Sequence, residues 1–253
     1  MTRRMLCVFS IFALLAVPTI TFAQKAPLHV LAFYSTDVER DHVMFAEEAV
    51  QFFANNAKKD NFDFQSTTHW DDLNSTRLKD VQIVLWFNDS PRTKPQQAAF
   101  EQYMRNGGGW LGFHFGGYND ESTHWPWFVE FLGGGVFYGN DWPPLPATLK
   151  VDDTTSPVTR HLPAHFISPA NEWYIWQPSP RENKDVKVFV TLDPSNYPLG
   201  FKDTLTGGDI PVVWSNTKYR MIYMNMGHGD KIFTNPQQNL LFEDALLWLG
   251  GRR

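Results

Sequence analysis

Residues 107–117, GGGWLGFHFGG, constrain the fold of this chain more than any other stretch, because six of the eleven are glycine and the apolar run among them stops at a histidine. The run from Trp110 to Phe113 is apolar without alternation, as a strand buried on both faces of a sheet must be. Gly112, His114 and Gly116 have the Gly-x-His-x-Gly spacing of a nucleophile elbow, a sharp turn after a strand that lifts one side chain above the sheet edge. Glycines two before and two after permit the tight backbone and the close approach that such a turn demands. The residue lifted here is His114, where an elbow usually carries serine or cysteine. The same spacing also describes a plain glycine-rich turn with a half-buried histidine, so by itself it is a weak signal.

Residues 1–23 carry Arg3 and Arg4, an apolar segment over 6–17, and Thr21-Phe22-Ala23 before Gln24. A basic start, an apolar stretch too short to span a bilayer and small residues at a cleavage point read as an export signal, with an uncleaved anchor as the alternative. The expected mature chain is 24–253, periplasmic or extracellular, with no stable membrane insertion. Cys7, the only cysteine, falls inside the signal with no lipidation box before it. The mature chain then has no thiol, which excludes disulfides, cysteine-ligated zinc and a cysteine nucleophile.

Removing the signal leaves 20 basic against 27 acidic residues and moves the formal charge from −5 to −7. A mildly acidic chain without a basic cluster is poorly suited to nucleic acid. Its length suits one α/β domain that buries roughly 70% of the unfolded-chain surface, and self-association into a homo-oligomer is left open.

The order of elements predicts a parallel sheet covered by helices on both faces, with short connections. Strands are expected at 28–34, 62–67 and 81–87 and at the run leading to His114; later strands are expected at 147–151, 166–167, 186–192, 211–214 and 221–226. Helices are expected at 42–58 with Asp41 as N-cap, at 94–106 with Pro95 in its first turn, from His124 to the glycines at 133–135, and at 236–249. Residues 140–180, rich in proline and short β-like pieces, read as an elaboration folded over the strand ends.

In such sheets ligands bind beyond the carboxyl ends of the strands. Tyr34 and Asn88 fall on that edge, His42 opens the helix beside it, and Gly227-His228-Gly229-Asp230 forms a second glycine-flanked polar turn after a strand. Glu172 sits among aromatics, where a buried carboxylate needs a partner. His114, His228 and Glu172 are the catalytic candidates, and the same three are the metal-ligand candidates. Two imidazoles and a carboxylate suit a divalent transition metal or general acid–base chemistry, and no compact motif separates the two. Tyr34, His42, Asn88, Trp125, Trp173 and Asp230 are the substrate-binding candidates. Ten tryptophans and an aromatic fraction of 15% offer ring faces for stacking on sugars, although most aromatics in any fold are core.

GGGWLGFH, HWPWFVEFLGG, SPVTRHLP, NEWY, PVVW and MGHGD, in that order over residues 28–249, resemble the ThuA-like (trehalose utilisation) family. The resemblance implies a flavodoxin-like, doubly wound, mainly parallel sheet similar to class I glutamine amidotransferases, in which the elbow holds a catalytic cysteine. With His114 at that position, amidotransferase chemistry is lost. It further implies a small carbohydrate as ligand, plausibly a 3-keto sugar, and carries His114, Glu172 and His228 over as site residues. One departure stands out: where many relatives place a histidine after the GGxF segment, this chain has Asn140.

Overall fold

A computed structural model describes residues 26–196 and 209–253. The expected export signal and Cys7 lie outside the described residues. In chain order the elements are β1 (Leu28–Phe33), α1 (Arg40–Asp60), β2 (Phe62–Thr67), β3 (Ile83–Trp86), α2 (Lys94–Arg105), β4 (Gly109–Phe113), α3 (Pro126–Leu132), β5 (Val136–Asn140), β6 (Leu145–Val151), β7 (His165–Asn171), β8 (Tyr174–Gln177), β9 (Val186–Leu192), β10 (Pro211–Asn216), β11 (Met221–Met224) and α4 (Pro236–Leu249).

Nine strands form one sheet in the order β2-β1-β3-β4-β11-β10-β9-β6-β7, and β5 pairs with β8 in a separate ribbon. Neighbours from β2 to β11 are parallel; from β11 to β7 they are antiparallel. The parallel character expected from the sequence therefore holds for one half. The region expected to fold over the strand ends does two things instead. Its β6 and β7 lengthen the main sheet, and only the β5–β8 ribbon stands apart.

Side-chain alternation along the strands divides the apolar residues into two cores. Phe113, Leu85 and Met224 pack with Phe45 and Phe53 of α1 and Phe242 of α4. Trp86, Trp110 and Tyr223 pack with Phe100 of α2 and Phe128 and Phe131 of α3. The helices thus cover opposite faces in pairs, which explains why the strands read as unbroken apolar runs. No helix among the described residues is long and apolar enough to cross a membrane.

Helix α1 begins two residues earlier than expected. Glu39, not Asp41, is the N-cap, and its carboxylate accepts from the His42 backbone N–H at 3.1 Å. His42, in the first turn of this helix, is buried.

Candidate functional site

Strand β4 delivers His114 to the sheet edge with a left-handed backbone, φ +40°, an uncommon and strained state for a residue with a side chain. The chain then tightens into a 3-10 turn over His114–Gly117 rather than an α-helix. A Cβ on Gly116 would lie 2.8 Å from the Trp86 carbonyl oxygen, and one on Gly227 would lie 2.4 Å from the His114 Cβ, so both positions admit only glycine. The Tyr223 hydroxyl donates to the His114 carbonyl at 3.0 Å. The ring stacks on Tyr174 with centroids 4.0 Å apart, and Nδ1 is 2.8 Å from the Asn225 carbonyl oxygen. A carbonyl only accepts, so Nδ1 carries the hydrogen and Nε2 of the neutral ring presents a lone pair. His114 is 0% exposed.

Around that Nε2 the site closes. Glu172, next after β7, places Oε2 3.3 Å from His114 Nε2, 4.0 Å from His42 Nε2 and 3.9 Å from His228 Nε2. Its other oxygen, Oε1, accepts from Asn140 Nδ2 at 2.5 Å. The His42 ring centroid is 5.1 Å from that of His114 and 5.0 Å from that of His228. Glu39 Oε2 stands 3.7 Å from both His42 Nδ1 and His228 Nε2, and Asp41 Oδ2 is 3.9 Å from His228 Nδ1. Ligand atoms lie within 4.8 Å of one another in two overlapping groups, His42–His114–Glu172 and Glu39–His42–His228.

Burial sets the charges. It drives His42 down to about 2, with His114 and His228 adding to the effect. It also lowers His114, against the opposing pull of Glu172. Burial acts to raise Glu172, but the pull of His114 and His228 and the Tyr174 hydroxyl outweigh it and hold the carboxyl below its ordinary range. At neutral pH the His42 and His114 rings are therefore neutral beside one carboxylate, an arrangement suited to taking a proton or holding a cation.

Of the sequence candidates, His114, His228, Glu172 and His42 meet at this point. Asn88 does not offer its amide to a ligand: it is buried, accepting from Ser35 N at 2.8 Å and donating to the carbonyls of Ser35 at 2.9 Å and His42 at 3.2 Å, so it ties the β1–α1 loop to the first turn of α1, where His42 sits. Trp125 and Trp173 have no open ring face. Trp125 stacks on Phe128 and donates to Glu101 Oε1 at 2.9 Å, and Trp173 is buried with its indole N–H on the Leu145 carbonyl at 2.9 Å. Both are core residues, because large rings next to glycine and proline turns still find cavities to fill. Asp230 is exposed and paired with Lys231 at 3.0 Å, outside the cluster. Tyr34 is half-buried against the α1 core.

Five residues outside the catalytic and binding candidates shape the site. Asn171 is buried; its Oδ1 accepts from the backbone N–H groups of Gly227 at 3.0 Å and His228 at 3.1 Å, and its Nδ2 donates to the carbonyls of Glu172 at 2.9 Å and Asn225 at 3.3 Å. Asn225, Glu39 and Asn140 complete the frame. Asn140 reaches the centre as an amide donor. Trp142 is 72% exposed with its ring 6.4 Å from that of His228. An aromatic between Asp141 and Pro143, with no apolar neighbour in sequence, was the available signal for it.

The family model described as ThuA, trehalose utilisation, matches residues 29–249. The chain is 52% identical to a ThuA-like protein from Bacteroides uniformis, with a TM-score of 0.85 over 91% of this chain and 94% of that one. A second ThuA-like protein, from Parabacteroides merdae, shares the fold at 16% identity, with a TM-score of 0.64 over 90% and 91%. The cold-adapted β-galactosidase of Rahnella sp. R3 contains the same fold in part of its length, with a TM-score of 0.57 and 10% identity over 90% of this chain and 32% of that one. No curated protein is similar to the chain in sequence. An ordered set of motifs, a match across nearly all the described chain and a half-identical relative agree, and the protein is a member of the ThuA family.

Proposed function

We propose that this protein is a carbohydrate-active enzyme that moves a proton at the carbon beside a carbonyl of a 3-keto glycoside or another small oxidised sugar. Membership of the ThuA family connects the chain with carbohydrate. The observation that carries the chemistry is the convergence of three imidazole Nε2 atoms on one oxygen of Glu172.

Glu172 is the base in this reading, in place of His114. The His114 ring is fully covered, whereas the Glu172 side chain is 14% exposed and is the part of the centre nearest solvent beside Glu39 and Asp41. The C–H bond breaks as a Glu172 oxygen takes the proton, and the electron pair moves onto the carbonyl oxygen as an enolate. The enolate then either expels the group on the next carbon, giving elimination, or is reprotonated, giving isomerisation. In this reading the proton returns from Glu172 directly or by relay through His228, whose Nε2 is 3.9 Å from the same oxygen. His114, tied to Asn225 and Tyr174, orients the carboxylate. Trp142 supplies an open ring for a sugar face at the rim.

The same reading treats the parallel half as flavodoxin-like and akin to class I glutamine amidotransferases. Its order β2-β1-β3-β4-β11 follows the 2-1-3-4-5 pattern, in which ligands gather at the switch beside the first strand. Residues 1–23 would export the protein to the periplasm or beyond.

The test is incubation of the mature protein with 3-keto glycosides in deuterated water, following C–H exchange and product by NMR. Exchange that falls at least ~100-fold in Glu172→Gln, the scale of a lost general base, supports the reading. Saturable sugar binding without exchange or consumption would instead mark a sugar-binding domain, with Trp142 as its platform.

A further inference from the structure

We infer that His42, His114, His228 and Glu172 form a binding site for one divalent first-row transition-metal ion. The inference rests on the same side chains as the proposed site, Glu172 serving as ligand when the ion is bound and as base when it is not, and it does not require that a sugar be the substrate.

The argument starts from hydrogen accounting. Because His114 Nδ1 donates to the Asn225 carbonyl at 2.8 Å, its Nε2 has only a lone pair, and this lone pair faces the Glu172 carboxylate at 3.3 Å. Two acceptors in van der Waals contact repel, so something positive belongs between them. A single proton on His114 would satisfy that pair and nothing else. His42 Nε2, on a buried residue, has no hydrogen-bond partner among the described residues, yet it points at the same Glu172 oxygen from 4.0 Å. His228 Nε2 approaches that oxygen from a third side, at 3.9 Å. An ion at the centre satisfies all four atoms at once.

The spacings fit. Four ligands held at roughly 2.0–2.2 Å from a metal lie about 3–3.6 Å from one another; the Glu172 oxygen is 3.3, 3.9 and 4.0 Å from the three Nε2 atoms, and the ligand atoms of His42, His114 and Glu172 lie within 4.8 Å of one another, so closure on an ion draws the imidazoles inward, His228 farthest. Outer groups are already in place for ligand duty. Asn225 fixes the His114 tautomer, Tyr174 stacks on its ring, and Asn140 holds the far Glu172 oxygen at 2.5 Å, the supports that ligating imidazoles and carboxylates normally have. Three imidazoles with one carboxylate select zinc, iron, cobalt or nickel over magnesium or calcium, which require oxygen-rich shells. Glu39 stands 3.7 Å from His228 Nε2 at the open side, leaving a direction from which water or a substrate oxygen can approach.

The experiment uses the tag-free mature protein, stripped by chelator and titrated with Co2+ and with Zn2+. Expected are saturation at about one equivalent, ligand-field bands of nitrogen- and oxygen-bound Co2+ in the visible, a rise in Tm with either ion, and no competition from excess Mg2+. Glu172→Gln and, as a second variant in case one is poorly folded, His228→Gln should each weaken binding on the order of 100-fold, while His165→Gln, a surface change, leaves it intact. The inference is overturned by stripped, folded protein that takes up neither ion saturably, or by binding that survives both site variants. These readouts involve no substrate, so loss of the metal site and loss of the proton-transfer reading are observed separately.

Discussion

Replacing Asp141 with asparagine isolates the cost of burying a carboxylate one position from the exposed Trp142. Asp141 is 2% exposed, accepts from the Trp173 backbone N–H at 2.6 Å, and lies close enough to Glu172 to feel its charge. Burial pushes its carboxyl from the ordinary 3.8 up to about 7, with Trp173 N–H opposing and Glu172 reinforcing the rise. The folded-state value lies above the unfolded one, so between pH 4 and pH 7 the folded chain holds a proton that the unfolded chain has released. Stability on this account is highest at the acid end and falls as pH rises through the window, by about 1.4 kcal/mol per unit. From pH 4 to pH 8 the loss sums to about 4 kcal/mol. Asp141→Asn lacks the ionisation and should therefore gain about 4 kcal/mol on the parent across that range, whatever fixed offset the amide introduces. Urea unfolding of both proteins at several pH values, compared at equal m, reads this directly, since the histidines and other acids are common to the pair and cancel. Stability profiles that run parallel from pH 4 to pH 8 would refute the reasoning.

Asn171→Ala removes the amide that joins the Glu172 and His228 segments and leaves two buried N–H groups and the Glu172 carbonyl short of a partner, the Asn225 carbonyl keeping His114; a loss of about 3–5 kcal/mol in chemical unfolding is expected. Gly116→Ala drives a methyl to 2.8 Å from the Trp86 carbonyl oxygen, a backbone collision that should cost about 1–3 kcal/mol and disturb the His114 NMR signals. Trp142→Ala, at an exposed ring, should leave unfolding within about 0.5 kcal/mol of the parent while weakening sugar binding by calorimetry about tenfold, the scale of one lost aromatic contact.

The elements with strong local signals were legible in the chain. Helix α4 spans the expected residues, α2 carries its Thr93 capping box and Pro95, and the glycine spacing around His114 does mark a strained turn. The convergence of His114, His228 and Glu172 was readable because each follows a strand at one edge. What local pattern could not supply was direction. Whether β9 and β10 run with or against β11 depends on pairing across the sheet, and the burial of His42 depends on His114, Phe115 and His228, which are distant in sequence and pack around its ring. Likewise, nothing local distinguishes Trp125 and Trp173, swallowed by the core, from Trp142, which faces solvent. Exposure of an aromatic is settled by which distant segments arrive to cover it.

The four converging groups have two origins. His42, His114 and His228 hang from the parallel strands and the helix beside them, whereas Glu172 and its partner Asn140 come from the ribbon and extra strands inserted between β4 and β9. Reactivity in this architecture is therefore modular: a relative could keep the whole nitrogen face and acquire a different acid, reach or ligand preference by remodelling one insert, without disturbing the scaffold beneath.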